Sequence, residues 1–165
     1  MPAMRRRMLR NRIPDIDLLP HFSKKITMNY VEQDSYGMYA VDGSNGPGPR
    51  LMGADTLMGN DVYNRQDEDL GDIKEIMLNV ADGRISYAVL SYGGLLGMGD
   101  KLFAVPWGAL TLDTDNKRFT LDVTKDRLEN APGFDKDNWP NMSDQTWAKD
   151  IHSYYGTTLP EVSLR

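Results

Sequence analysis

Two places in this 165-residue chain gather residues that could do chemistry. Gly93-Gly94-Leu95-Leu96-Gly97-Met98-Gly99-Asp100-Lys101 has the glycine density of a phosphate-binding loop. Asp67-Glu68-Asp69, with Asp72 and Glu75 close behind, has the carboxylate density of a divalent-cation site. Neither pattern completes. A phosphate loop needs lysine directly after its last glycine, then Ser or Thr, at a helix N-terminus. Here Asp100 intervenes, its charge repels phosphate, and Leu102-Phe103-Ala104-Val105 reads as a strand. Consecutive carboxylates diverge, and no glycine and distal glutamate follow at calcium-loop spacing. Asp113-Thr114-Asp115 and Asp135-Lys136-Asp137 begin like calcium loops and lack the later ligands too. All three read as solvated turns, and the expectation is no metal and no cofactor.

Acid–base and nucleophilic catalysis find equally little support. The histidines are His21 and His152, and neither has a partner histidine at helical spacing. No nucleophile-elbow pattern occurs. With no cysteine in the chain, thiol nucleophiles, disulfides and thiolate-held clusters are excluded. No catalytic residue is assigned, and a non-enzymatic protein is expected.

The elements that carry these residues are short strands broken by turns. Residues 61–64 read as a first strand, 65–70 as a polar turn, and 72–79 as a second strand led by Gly71. Asp82-Gly83 signals a two-residue type I′ hairpin, whose central positions both need positive φ. Residues 84–91 alternate Ile85, Tyr87 and Val89 with Ser86, Ala88 and Leu90; both faces are apolar, which predicts a central strand. Strands follow at 101–106, with Pro106 marking a kink or sheet edge, at 109–112, and, after a turn at Asp115-Asn116, at 118–123. Thr124 is a plausible N-cap for a helix over 125–130 that Pro132-Gly133 ends. A last helix follows Ser143 and runs to Tyr155 with Gly156 as its cap; Trp147, Ile151, Tyr154 and Tyr155 form its core-facing stripe. The glycine loop joins two strands, and its Leu95, Leu96 and Met98 either fold back on the core or meet another protein. Methionines 28, 38, 52, 58, 77 and 98 read as core filling.

Charge divides the chain. Residues 1–50 hold 8 basic and 5 acidic side chains, and residues 51–165 hold 11 and 19. The acidic body makes nucleic acid an unfavoured partner. The exception is the arm over residues 1–12, where Arg5, Arg6, Arg7, Arg10 and Arg12 stand without an acid. It reads as a loose tail or as an arm for an anionic surface: lipid, RNA or the acidic body of a second subunit. Residues 13–50 are interrupted by Pro14, Pro20, Pro47 and Pro49, yet Tyr30, Val31, Tyr36, Met38, Tyr39 and Val41 predict that part of 26–41 packs on the body or a partner. No run reaches the roughly 20 apolar residues of a membrane helix. The charges of Ile13-Pro14-Asp15-Ile16-Asp17 fall where a secretory signal is apolar. A cytoplasmic protein is expected, with peripheral membrane association open.

The segments Gly59-Asn60-Asp61-Val62-Tyr63-Asn64, Asp67-Glu68-Asp69-Leu70-Gly71-Asp72-Ile73, Tyr87-Ala88-Val89-Leu90-Ser91 and Phe103-Ala104-Val105-Pro106-Trp107 together resemble a PRC-barrel, over about residues 52–133. Residues 121–132 and the closing stretch from Trp147 to Gly156 are similar to the stand-alone bacterial members of that family. The resemblance implies a mainly β fold: a small PRC-type β-barrel over 51–133, an irregular N-terminal extension over 1–50, and a C-terminal helical tail over 134–165 that packs on the barrel. In the photosynthetic reaction-centre H subunit the fold supports assembly and proton or electron flow beneath a membrane complex. In the small-subunit ribosome maturation factor it binds a ribosomal protein. The first has a membrane helix and the second an extra barrel, and this chain is expected to have neither.

The resemblance therefore implies an adaptor or assembly domain that works by protein–protein contact, as a homodimer and with a further protein partner. Tyr92, Leu95, Leu96, Met98 and Trp107 are the expected contact residues. A ribosome- or RNA-associated role through the arginine arm is one alternative. An accessory role at photosynthetic or redox membrane complexes is the other, by family analogy.

Overall fold

The computed structural model describes residues 29–34, 51–93 and 101–161. The arginine arm, His21, the proline-rich stretch before Leu51, and Leu95, Leu96 and Met98 lie outside the described residues. A one-turn helix, α1 (Ala54–Leu57), precedes the strands β1 (Asp61–Tyr63), β2 (Asp69–Asn79), β3 (Arg84–Tyr92) and β4 (Lys101–Pro106). A 3₁₀ turn (Trp107–Ala109) leads to β5 (Leu110–Asp113) and β6 (Arg118–Leu121), and the helices α2 (Lys125–Glu129) and α3 (Gln145–Tyr155) follow. The strands form one curled sheet in the order β4-β3-β2-β1-β6-β5. β1 and β6 run parallel, Val62 beside Phe119, and the other neighbours are antiparallel.

The long hairpin of β2 and β3 carries the core. Ile73 lies opposite Leu90 and Ile76 opposite Ala88; on the other flank Leu90 faces Phe103 and Ala88 faces Val105. Opposite residues share a face, so these six point into the curl with Val62, Leu70, Phe119 and Leu121. The alternate residues of β3 do not meet water, as an antiparallel sheet often allows. Tyr87 and Ala104 on the outer face pack against Ile151 of α3. Cover on both sides explains why β3 is apolar on both sides and central. The terminal helix thus lies on the outer face of β3 and β4.

Gly71 is required where β2 bends. Its φ is +102°, and a Cβ there would lie 2.0 Å from the Ser91 carbonyl oxygen.

The β2–β3 turn corrects the expected two-residue hairpin. Asn79 pairs with Arg84, so the loop holds four residues, and among them only Gly83 has positive φ. Asn79 organises it: its side chain accepts from the Ala81 amide at 3.0 Å, and its carbonyl accepts from the Gly83 amide at 2.8 Å. Asp82, expected in the left-handed region, instead accepts from the Arg84 amide at 3.0 Å. Side-chain acceptance of backbone amides makes a longer loop self-sufficient.

Other boundaries shift less. The second strand begins at Asp69 rather than 72, β6 ends at Leu121 rather than 123, and residues 107–109 turn before β5. The Thr124 hydroxyl caps α2 by accepting from the Arg127 amide at 3.2 Å. Asp144 caps α3, accepting from Thr146 and Trp147 amides at 2.9 Å each, and Gly156 ends it in the left-handed conformation. Along α3 the closed face is Ala148, Ile151 and His152, with Trp147, Tyr154 and Tyr155 half-buried beside it. Met52, Met58 and Met77 pack against the apolar clusters as gap-fillers, while Met28, Met38 and Met98 lie outside the described residues.

Residues 29–34 dock on the body. Tyr30 is buried, and Gln33 accepts from the Asn60 side chain at 3.1 Å. The outer edge of β4 is closed at Leu102 by two hydrogen bonds with Phe134, of 3.0 and 2.9 Å, and its last residue, Pro106, has no N–H to offer.

Candidate functional site

Tyr92 and Trp107, both expected at one contact surface, stand at opposite ends of β3 and β4. Tyr92 pairs with Lys101 at one end, and Pro106, which precedes Trp107, pairs with Tyr87 at the other. Five residues of strand separate the two ends, roughly 17 Å. The separation follows because an antiparallel pair returns the chain to where it started only at its turn. Leu95, Leu96 and Met98 sit in the connection that begins at the Tyr92 end and lie outside the described residues, as do Arg5, Arg6, Arg7, Arg10 and Arg12.

At that end Tyr92 has a structural tie. Its hydroxyl donates to Glu129 of α2 at 2.8 Å, and the Lys125 ammonium lies 5.7 Å from its ring centre. Burial and then the Glu129 hydrogen bond raise the phenol's pKa, and the bond to Tyr92 raises that of Lys125. Trp107 is half-buried against Phe119, ring centres 5.8 Å apart.

The acidic corner is occupied by its own chain. Asn64 accepts from the Gln66 and Glu68 amides at 3.0 and 2.9 Å and donates to the Glu68 carboxylate at 2.7 Å. Asp69 accepts from the Gly71 amide at 2.7 Å. Asp67, at φ +62°, pairs with Arg118, whose guanidinium also lies 4.1 Å from the Tyr63 ring centre. Asp113 is held below its ordinary pKa, chiefly by Asn116, which donates from its side chain at 2.7 Å. Among the described residues no three His, Asp or Glu side chains gather as metal ligands.

His152 is buried at the C-terminal end of α3. Its Nδ1 shares a 2.8 Å hydrogen bond with the Thr157 hydroxyl, and its ring meets Tyr87 edge-on, centres 5.7 Å apart. Burial lowers its pKa. The ring lies beside a cleft of about 480 Å³ that runs between the β2–β3 hairpin and the segment after α3. Met77, Ile85, Trp107, Met142 and Leu159 supply the apolar lining. Residues 157–161 form the far wall.

The hairpin tip beside this cleft is the feature that sequence reasoning passed over. Val80 is 95% exposed on a loop held by the hydrogen bonds described above, and Leu78, near the end of β2, is 55% exposed. The available signal is Val80 itself. Hairpin loops favour Gly, Asn, Asp and Ser for conformational reasons, and a branched apolar residue there serves none of them.

The PRC-barrel domain is the family whose model matches this chain, over residues 49–128. No curated protein matches it. Among the described residues no helix is long and apolar enough to cross a membrane.

Proposed function

From the premise that residues 49–128 are a PRC-barrel domain, we propose that the protein is a cytoplasmic, non-enzymatic adaptor that acts through protein–protein contact, as a homodimer. The observation that carries this reading is the apolar hairpin tip, Leu78 and Val80, held out beside an apolar cleft. Burying Val80 would contribute roughly 1.5–3 kcal/mol, and Leu78, already nearly half covered, about half of that. A stable loop that withholds that contribution from its own core has it available for a partner. The candidate chemical groups support the same reading, because each is committed to the fold: His152 to Thr157, Asp67 to Arg118, and Tyr92 to Glu129. Sedimentation of the full chain at high micromolar concentration tests the dimer, and a monomer across that range would count against it. Leu95→Asp with Leu96→Asp tests the glycine loop that follows β3 in the chain: weakened association in a folded chain would return the contact to that loop.

A second reading rests on the five arginines of residues 5–12. They suit an RNA-associated role, in which binding falls steeply with salt. Replacing all five by alanine in the full chain should abolish salt-sensitive RNA binding if this reading holds. Binding that persists would remove its support.

A further inference from the structure

The exposed tip and the cleft belong to one surface. Met77, Leu78, Asn79 and Val80 bound the cleft from the hairpin side, and Leu78 and Val80 stay largely exposed at its rim. The charges on this surface also lack ion-pair partners among the described residues. Arg84 and Glu161 both line the cleft, from opposite walls, and neither has an ion-pair partner among the described residues. Asp82 also lines the cleft; it accepts from the Arg84 amide and likewise has no ion-pair partner among the described residues. The surface therefore holds an apolar projection, an apolar recess, and one cation and two carboxylates without ion-pair partners among the described residues. Such a surface is complementary to itself. In a two-fold contact each element of one copy meets its counterpart on the other, so projection meets recess and cation meets carboxylate twice.

We propose that a second copy of this chain occupies the cleft, each copy seating its β2–β3 tip in the other, with Val80 as the apolar plug and Arg84 paired to Glu161 of the partner subunit. This rests on the homodimer reading above and specifies its interface. It leaves the Tyr92 end of β3 and β4 outside the two-fold contact, open to a different protein.

The test is sedimentation of full-length variants beside thermal melts followed by circular dichroism. Val80→Asp should weaken dimerisation at least about tenfold with the melting temperature of the monomer unchanged, because that side chain touches little of its own fold. Arg84→Glu and Glu161→Arg should each weaken it, and the double exchange in one chain should restore it, since the pair is reversed on both sides of the axis. A dimer that survives Val80→Asp and Arg84→Glu overturns this interface and leaves the homodimer reading standing. A wild-type chain that sediments as a monomer throughout overturns both.

Discussion

Arg127 and Tyr154 grip each other's main chain. The Tyr154 hydroxyl donates to the Arg127 carbonyl, and the Arg127 guanidinium donates to the Tyr154 carbonyl. The same guanidinium lies 4.8 Å from the Tyr154 ring centre. This reciprocal clasp ties α2 to the end of α3, from which the wall of the cleft, residues 157–161, departs. Tyr154→Phe removes one strand of the clasp and should cost about 1 kcal/mol; Arg127→Ala removes the other together with the ring contact and should cost about 1–2 kcal/mol. The double variant should cost less than the sum, because the two side chains share one arrangement. Urea unfolding of all four proteins measures this, and strict additivity would mean that the two bonds act independently.

Tyr155, the next residue, should behave in the opposite way. Its hydroxyl is buried without a hydrogen-bond partner among the described residues, and burial raises its pKa strongly. Tyr155→Phe removes a polar atom that the fold leaves unsatisfied, so stability should hold or rise by up to about 1 kcal/mol. A loss of stability on urea unfolding would mean that the hydroxyl does find a partner in solution.

Gly71→Ala and Gly83→Ala separate close approach from backbone strain. Both glycines have positive φ, but a Cβ at Gly71 would collide with the Ser91 carbonyl, whereas one at Gly83 would meet nothing within 4 Å. Gly83→Ala should cost about 1 kcal/mol, the strain alone. Gly71→Ala should cost roughly 3 kcal/mol or more, because β2 and β3 must part to admit the methyl group. Equal melting temperatures for the two variants would refute the argument from contact.

His152 makes stability depend on pH in a stated direction. Burial disfavours the imidazolium, so the folded-state pKa lies below the ordinary value of 6.5. As pH falls, the unfolded chain takes up the proton first. The stability contributed by the neutral ring is therefore complete above pH 6.5, declines as pH drops from there toward the folded-state pKa, and levels off beneath it. Tyr87, whose pKa is raised by burial, stays neutral throughout this window. Unfolding free energies for the wild type and His152→Gln from about pH 7.5 to 5 should converge as pH falls. Parallel curves would show that the ring is freely protonated in the folded state.

Much of the architecture could be read from local sequence because its causes are local. Thr124 and Gly156 act through atoms three to five residues away, so their capping roles are visible without a fold. The two apolar faces of residues 84–91 required cover on both sides, and hence a central strand. The quoted segments together pointed to the family whose model matches residues 49–128. Where the hairpin loop ended was less legible, since Asn79 could replace a tight turn by bonding the loop from its own side chain.

The candidate site was decided at longer range. Tyr92 and Trp107 are separated because the register of β3 against β4 sends them to opposite ends, and register is a property of the pair of strands. The cleft exists because α3 returns across the outer face of β3 and β4, so that Met142 before it and Leu159 after it line the same cleft as Met77. The exposure of Val80 follows from the same packing: its chemistry is written in the chain, but whether an apolar side chain faces core or water depends on which distant segments come to cover it.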